Sequence, residues 1–224
     1  MISVGNDIIS LECTNAERTK QEKFYSKILC KQELELFENI NSNILSFENF
    51  VWLAWSVKES VYKFYKRTNQ QALFSPTKTI IQRIDLPVKQ HDFKFTTTYC
   101  ENVSFCKEEC YCCEVHFNSA IFYTRTLVFD DMIFTVANNT NCFDNIWWGI
   151  KNIDDDSYEA QSKNVRVFVL NKLNQFFLND SFSIEKTAAG YPLLKQQKDI
   201  PLSFAHHGSF IGYSFYLKSK NPSC

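Results

Sequence analysis

An α+β fold is what this sequence predicts, on three observations. Phe50, Ala54, Val57, Val61 and Phe64 fall on one side of a helix at about 100° per residue, the stripe of an amphipathic helix packed on a core. Val165, Val169, Leu173 and Phe176 repeat that pattern in a second long helix, Tyr158 to Leu178. From Phe93 to Val136, and again from Phe210 to Leu217, polar and apolar residues alternate as they do in short half-buried strands.

Taken in order, Ile2 to Leu11 opens with a short strand pattern in which Asp7 stands between Val4 and Ile8-Ile9. An acid in an apolar strand is costly unless it is paired or metal-bound; the other reading is an exposed turn carboxylate after Gly5-Asn6. Thr14 to Phe37 reads as helix with a turn inside it, Phe24 and Ile28 facing the core. Lys20, Lys23, Lys27 and Lys31 lie within about 60° of one another on the helical wheel. Such a stripe fits either a solvated face or a docking surface for an acidic protein. In the next helix Trp52, Ser56, Glu59 and Lys63 occupy the side away from the apolar stripe. A Glu and a Lys at i,i+4 form either a solvated pair worth about 0.3–0.5 kcal/mol or the working face of the helix. Thr79 to Ile84 reads as a strand, and Phe93-Lys94-Phe95 and Val115-His116-Phe117 as parts of a meander or hairpins. The Asn- and Asp-rich stretch 137–157 reads as a linker, although Trp147-Trp148 within it must pack somewhere. Arg166 lies off the apolar face of the second helix. Gly190-Tyr191-Pro192 is a turn signal, and Leu202 to Gly208 precedes the closing strand.

The 224 residues suffice for one large domain or two small ones. A hydrophobic content of 45% with 22% charged residues is that of a globular protein. No window approaches roughly 18 uninterrupted apolar residues, so no membrane span is expected. The N-terminus reaches Asp7 too early for a signal peptide, and a cytoplasmic location is the expectation. The net charge of −1 provides no global field for nucleic acid, so a polyanionic partner must be met by a local patch. Five of the nine cysteines cluster as Cys100, Cys106, Cys110, Cys112 and Cys113. A disulfide framework is not expected without secretion. Cys110 and Cys113 have CxxC spacing, but a strand through them points them to opposite faces. Free thiols packed as small hydrophobes and a zinc site are the two readings.

Gly5-Asn6-Asp7-Ile8-Ile9 and Trp55-Ser56-Val57-Lys58-Glu59-Ser60-Val61-Tyr62-Lys63 together resemble the 4′-phosphopantetheinyl transferase superfamily. There a Gly-x-Asp strand and a Trp-x-x-Lys-Glu helix with a later lysine bracket a magnesium site. Phe24-Tyr25-Ser26-Lys27 through Glu33 looks like the helix between those motifs and its acid-containing end. Arg166-Val167-Phe168-Val169-Leu170, Gly190-Tyr191-Pro192 and Ser203-Phe204-Ala205-His206-His207-Gly208-Ser209 look like the coenzyme-binding half of the surfactin-synthetase-activating type. In that type this half comes first; here it comes second, in apparently permuted order. Two positions depart from the pattern. Ile9 stands where the two-halved type often has a second acid, which the short holo-acyl-carrier-protein synthases also tend to lack, and Tyr191 replaces the lysine of a Gly-Lys-Pro turn.

The resemblance implies two similar halves, each a small antiparallel sheet packed on a long helix, with the active site at their junction. Residues 1–136 would form the metal-binding and catalytic half, 137–157 the linker, and 158–224 the coenzyme A-binding half. It implies Mg2+-dependent transfer of 4′-phosphopantetheine from coenzyme A, the substrate, to a serine hydroxyl of an acyl- or peptidyl-carrier protein. The product would be 3′,5′-ADP and the setting fatty acid or polyketide biosynthesis. Asp7 and Glu59 would hold the metal, and Glu59 and Lys63 would act in catalysis. Arg166, His206, Lys58 and Lys63 would bind the coenzyme, and Lys20, Lys23, Lys27 and Lys31 would dock the carrier. A monomer with no nucleic-acid or membrane partner is expected, since a chain holding both halves closes its own cleft. Two other readings stand beside this one. The first is a non-catalytic relative that grips carrier protein or coenzyme A; the second is a zinc-binding protein using the cysteine cluster.

Overall fold

The computed structural model describes residues 3–40, 44–89, 99–177 and 182–218. The fold is α+β. In order the chain forms β1 (Gly5–Ser10), α1 (Ala16–Thr19), α2 (Glu22–Tyr25), α3 (Lys31–Glu38), α4 (Phe47–Thr68), β2 (Ile80–Asp85) and β3 (Tyr99–Val103). There follow β4 (Tyr111–Phe117), β5 (Ala120–Val128), β6 (Met132–Asn138), β7 (Ile146–Asn152), α5 (Tyr158–Phe176), β8 (Ile184–Lys186), β9 (Pro192–Leu194), β10 (Leu202–His207) and β11 (Phe210–Tyr216). Among the described residues the strands make three antiparallel sheets, ordered β1-β6-β5-β4-β2, β10-β11-β7-β3 and β8-β9.

Local chemistry accounts for the long elements. The Ser46 hydroxyl caps α4 by accepting from the Asn49 amide at 3.2 Å. Glu48 in the first turn and Lys66 and Arg67 in the last complement the helix dipole. Ser157 caps α5 in the same way, accepting from the Ala160 amide at 3.3 Å. The β4–β5 hairpin turns through Asn118 and Ser119, both at positive φ, the backbone sense that matches strand twist in a two-residue loop.

Each large sheet carries one long helix. The predicted stripe Phe50, Ala54, Val57, Val61 and Phe64 is fully buried, packed with Val115, Phe122 and Ile133 of the five-stranded sheet. Val165, Phe168, Val169 and Leu173 of α5 pack with Ile211, Tyr213 and Phe215 of β11. A third apolar cluster lies between the sheets, where Val4, Ile8 and Phe134 meet Trp148, Ile150 and Phe210. Gly212 makes that contact close, because a Cβ there would sit 2.9 Å from the Phe134 ring.

Three expectations are corrected or fall elsewhere. Residues 14–37 do not form one helix with a single turn but the three short helices α1, α2 and α3. One tertiary partner and one local helix cap take the backbone groups that a continuous helix would use. The Ile28 carbonyl accepts from Lys58 Nζ at 2.6 Å, and the Cys30 amide donates to Glu33 Oε2 at 2.9 Å. The stretch 137–157 is not a linker, since it contains β7, which lies between β11 and β3 inside the second sheet. Ile146, Trp148 and Ile150 alternate inward there at 0% exposure, while the Asn and Asp residues occupy the turns on either side. Because β3 also joins that sheet, the two sheets interleave along the chain instead of dividing at residue 136. The expected strand Phe93-Lys94-Phe95, and Leu178 at the end of the second helix, lie outside the described residues.

Candidate active site

Gly5 determines how close β1 can come to α4. A Cβ at that position would meet the Ser60 carbonyl oxygen at 2.0 Å and the Phe64 amide nitrogen at 2.6 Å. Only glycine fits, and the strand lies flat on the helix. Two serines fasten the helix to the neighbouring strand: Ser56 Oγ donates to Thr135 Oγ1 at 3.0 Å and Ser60 Oγ to the Thr135 carbonyl at 3.2 Å. Thr135 on β6 is the register partner of Asp7 on β1.

That packing brings Asp7 to Lys63 and Glu59. Lys63 Nζ donates to Asp7 Oδ1 at 2.9 Å and lies 3.3 Å from Glu59 Oε1. The Asp7 side chain is only 6% exposed, against 25% for Lys63 and 28% for Glu59. Burial pushes the Asp7 carboxyl up to about 7, against the pull of the Lys63 ammonium. Lys63 is held above its ordinary value, because the attraction of Asp7 and Glu59 outweighs the burial that opposes it. The second carboxylate oxygen of Asp7, Oδ2, is buried and has no hydrogen-bond partner among the described residues. An orphaned buried acceptor beside a second carboxylate fits a hard divalent cation. Mg2+ commonly takes one or two carboxylates and fills its shell with water and substrate phosphate. Among the described residues no group of three or more His, Cys, Asp and Glu could hold a metal, so a cation here rests on these two carboxylates. Ile9, where a further acid would stand, is buried among apolar side chains.

From Lys63 a cleft opens between α4 and the second sheet. One pocket of about 240 Å³ is lined by Lys63, Lys66, Arg67, Tyr191 and Phe204 among others. A second, of about 140 Å³, is lined by Tyr158, Arg166, Lys186 and His206 among others. The two share Gly190, Pro192 and Phe204 and so adjoin. Among the described residues lining them there are Lys and Arg side chains from both sheets' helices and no carboxylate. The His206 ring meets Tyr158 edge-on with centroids 5.6 Å apart. Burial, with Lys63, His207 and Arg166 nearby, holds His206 below its ordinary value. His207 Nδ1 accepts from the Ser10 amide at 2.9 Å, and Ser203 Oγ from the Asn6 amide at 3.0 Å, so β10 is tied directly to β1. Arg166 Nη1 turns back to the Ser162 carbonyl and hydroxyl on its own helix.

The structure thus brings Lys63, with Asp7 and Glu59 against it, to the first pocket, and Arg166 and His206 to the pocket adjoining it. It does not bring Lys58 there. Lys58 is 0% exposed, and its ammonium is 2.7 Å from Glu33 Oε2 and donates to the Ile28 carbonyl. Burial pulls it below its ordinary value despite Glu33. Its expected role in coenzyme binding is corrected to a structural one, because a helix residue one position from Glu59 points into a different environment. The lysine stripe is likewise not a feature of one helix. Lys20 ends α1 and pairs with Glu48 at 2.7 Å, Lys23 is in α2, Lys27 lies in the turn after it, and Lys31 opens α3 and faces Glu35 at 3.8 Å. Lys23 and Lys27 remain exposed. Cys110 and Cys113 sit in different apolar clusters, one between the sheets and one beneath α4, and burial pushes the Cys113 thiol up to about 12. That arrangement suits packed thiols rather than a shared metal.

Sequence reasoning missed Lys66, Arg67 and Lys186. None of the three belongs to the motifs or to the lysine stripe that the sequence singles out. Burial draws the Arg67 guanidinium down to about 10, a mark of its position in the cleft wall that no spacing announces.

The family model described as the 4′-phosphopantetheinyl transferase superfamily matches residues 3–115, just over half of the chain. No curated protein and no solved structure matches it. The chain belongs to that superfamily, whose activity is phosphopantetheine transfer.

Proposed function

From this membership we propose that the chain transfers 4′-phosphopantetheine from coenzyme A to a serine hydroxyl of a carrier protein, with Mg2+, releasing 3′,5′-ADP. The observation that carries the reading is the single cleft that joins the Asp7–Lys63–Glu59 cluster to Arg166 and His206. It is lined by cations in a chain whose net charge is −1. A local basic cleft on a near-neutral protein is suited to one polyanionic ligand.

Asp7 and Glu59 would hold the metal, which when bound supplies polarisation of the phosphate and neutralisation of the leaving nucleotide. Lys63 stands between both carboxylates and also lines the first pocket, so its ammonium can serve phosphate oxygens as a point charge. Arg166 offers a planar fork to the 3′-phosphate of the coenzyme, exchanging its contacts with Ser162 for charge-assisted ones. His206, kept toward the neutral form by burial, has one ring N–H to donate to a second phosphate oxygen. Phe204 and Tyr158 supply apolar walls against solvent.

The test is incubation with coenzyme A, Mg2+ and apo carrier proteins of fatty acid, polyketide and peptide synthesis, read by intact-protein mass spectrometry. The expected result is the gain of one phosphopantetheine group on at least one class. Tight coenzyme binding without any gain on the three classes would point instead to a non-catalytic relative.

A further inference from the structure

Arg67 carries a charge that the described residues leave without a counter-ion. It sits in the last turn of α4, half-buried in the wall of the larger pocket. Among the described residues its terminal nitrogens donate only to carbonyl oxygens, those of Leu202 and of Pro192, the latter at 3.3 and 3.4 Å. The Tyr191 ring lies against the guanidinium, with the centroid 4.7 Å from Cζ. Among the described residues no carboxylate pairs with it. The other two cations of that pocket are engaged differently: Lys63 by Asp7 and Glu59, and Lys66 by the Ala72 carbonyl at 3.0 Å.

A desolvated guanidinium is costly unless an anion completes it. The two carbonyls and the aromatic face do not neutralise it; they fix its plane. A fork held in one plane loses little freedom when it accepts a bidentate oxyanion. Stacking on Tyr191 adds an attraction that does not compete for the N–H donors.

We infer that Arg67, clamped by Tyr191, Pro192 and Leu202, is the receptor for the diphosphate of the coenzyme in the larger pocket. The inference rests on the transfer reaction proposed above, because that reading supplies the ligand. It places the diphosphate next to Lys63 and leaves the 3′-phosphate to the adjoining pocket of Arg166 and His206. The cation absent from the turn at position 191, where a tyrosine stands, is supplied from across the cleft by the helix.

Calorimetry with coenzyme A, dephospho-coenzyme A and inorganic pyrophosphate against wild type, Arg67→Gln and Arg67→Lys tests this. A charge-assisted contact predicts that Arg67→Gln weakens all three ligands by about tenfold to a hundredfold. Arg67→Lys, which keeps the charge without the fork, should fall between. A loss confined to coenzyme A would reassign Arg67 to the 3′-phosphate and overturn the inference, as would unchanged binding of all three. Should Arg67→Gln fail to fold, the wild-type protein decides. Pyrophosphate must then protect Arg67 from phenylglyoxal, read by peptide mass spectrometry, and absence of protection overturns the inference. Failure of the proposed reaction looks different: pyrophosphate binds through Arg67 while coenzyme A does not bind.

Discussion

Lys58 and Lys63 stand on the same helix, each with its ammonium against a carboxylate, and the two regions they make behave as opposites. At Lys58 every strong group is satisfied. Glu33 Oε2 accepts from Lys58 and from the Cys30 amide, and Oε1 from the Ile81 amide at 2.9 Å. Both side chains are 0% exposed. At Lys63 the ammonium and Glu59 are partly open to solvent, two carboxylates share one ammonium, and the buried Asp7 Oδ2 has no donor among the described residues. A saturated ion pair has nothing left to offer a ligand and serves to join α3, α4 and β2. An unsaturated one keeps an acceptor and a movable cation in reserve. The difference separates scaffold from site more sharply than the residue types do, since both regions are built from Lys and an acid.

The largest effect expected from this contrast is on stability. Lys58→Ala leaves Glu33 buried and uncompensated, and should cost about 3–5 kcal/mol in urea unfolding. The Lys58→Met, Glu33→Gln pair removes both charges while keeping a carbonyl acceptor for one amide, and should recover much of that loss. If Lys58→Ala instead melts like wild type and loses coenzyme affinity, the assignment of Lys58 to the scaffold is broken.

Asp7→Asn should do the reverse, lowering turnover by more than about a hundredfold with the fold intact. Its stability effect has a sign that can be worked out for the metal-free chain. Asp7 titrates near 3.8 when unfolded and is raised to about 7 when folded, so the folded state holds the proton more tightly. Between those values wild-type stability therefore falls as pH rises, and the contribution is fully present only below the unfolded value. Removing the group removes the slope. In the presence of chelator, Asp7→Asn should be at least as stable as wild type at pH 8, with the advantage shrinking toward pH 4. An Asn variant that is less stable at pH 8 would show that Lys63 needs Asp7 more than burial penalises it.

The smallest effect belongs to the exposed lysines. Lys23→Glu with Lys27→Glu should raise the Michaelis constant for an acidic carrier by up to about tenfold at low salt, leave that for coenzyme A unchanged, and lose its effect as salt is added. Equal changes in both constants would mark these lysines as an ordinary solvated face.

Much of the site is legible in the amino-acid order. Periodicity exposes the buried stripe of α4 and the apolar face of α5, because a helix face is a local property of spacing. The Gly-x-Asp and Trp-x-x-Lys-Glu motifs single out Asp7, Glu59 and Lys63, since a glycine before an acid in a strand and an acid and lysine one turn apart are visible in the letters. What the letters do not carry is partnership. The chain from Thr14 to Phe37 has helical spacing, yet it breaks where the Ile28 carbonyl is claimed by the distant Lys58. The Asn- and Asp-rich stretch hides β7, because three inward residues outweigh the polar turns around them only once β11 and β3 pair with it on either side.

By itself, then, the sequence determined the fold class, the two long helices and the superfamily, all of which depend on short-range pattern. The tertiary structure alone decided that Lys58 is sealed against Glu33 while Glu59 beside it stays partly exposed next to Lys63. It alone placed Arg67 against the Tyr191 turn and left Asp7 with an acceptor to spare. The physical reason is desolvation. Whether a charge is satisfied, stranded or exposed depends on which groups distant in the chain reach it, and those distances exist only in the folded protein.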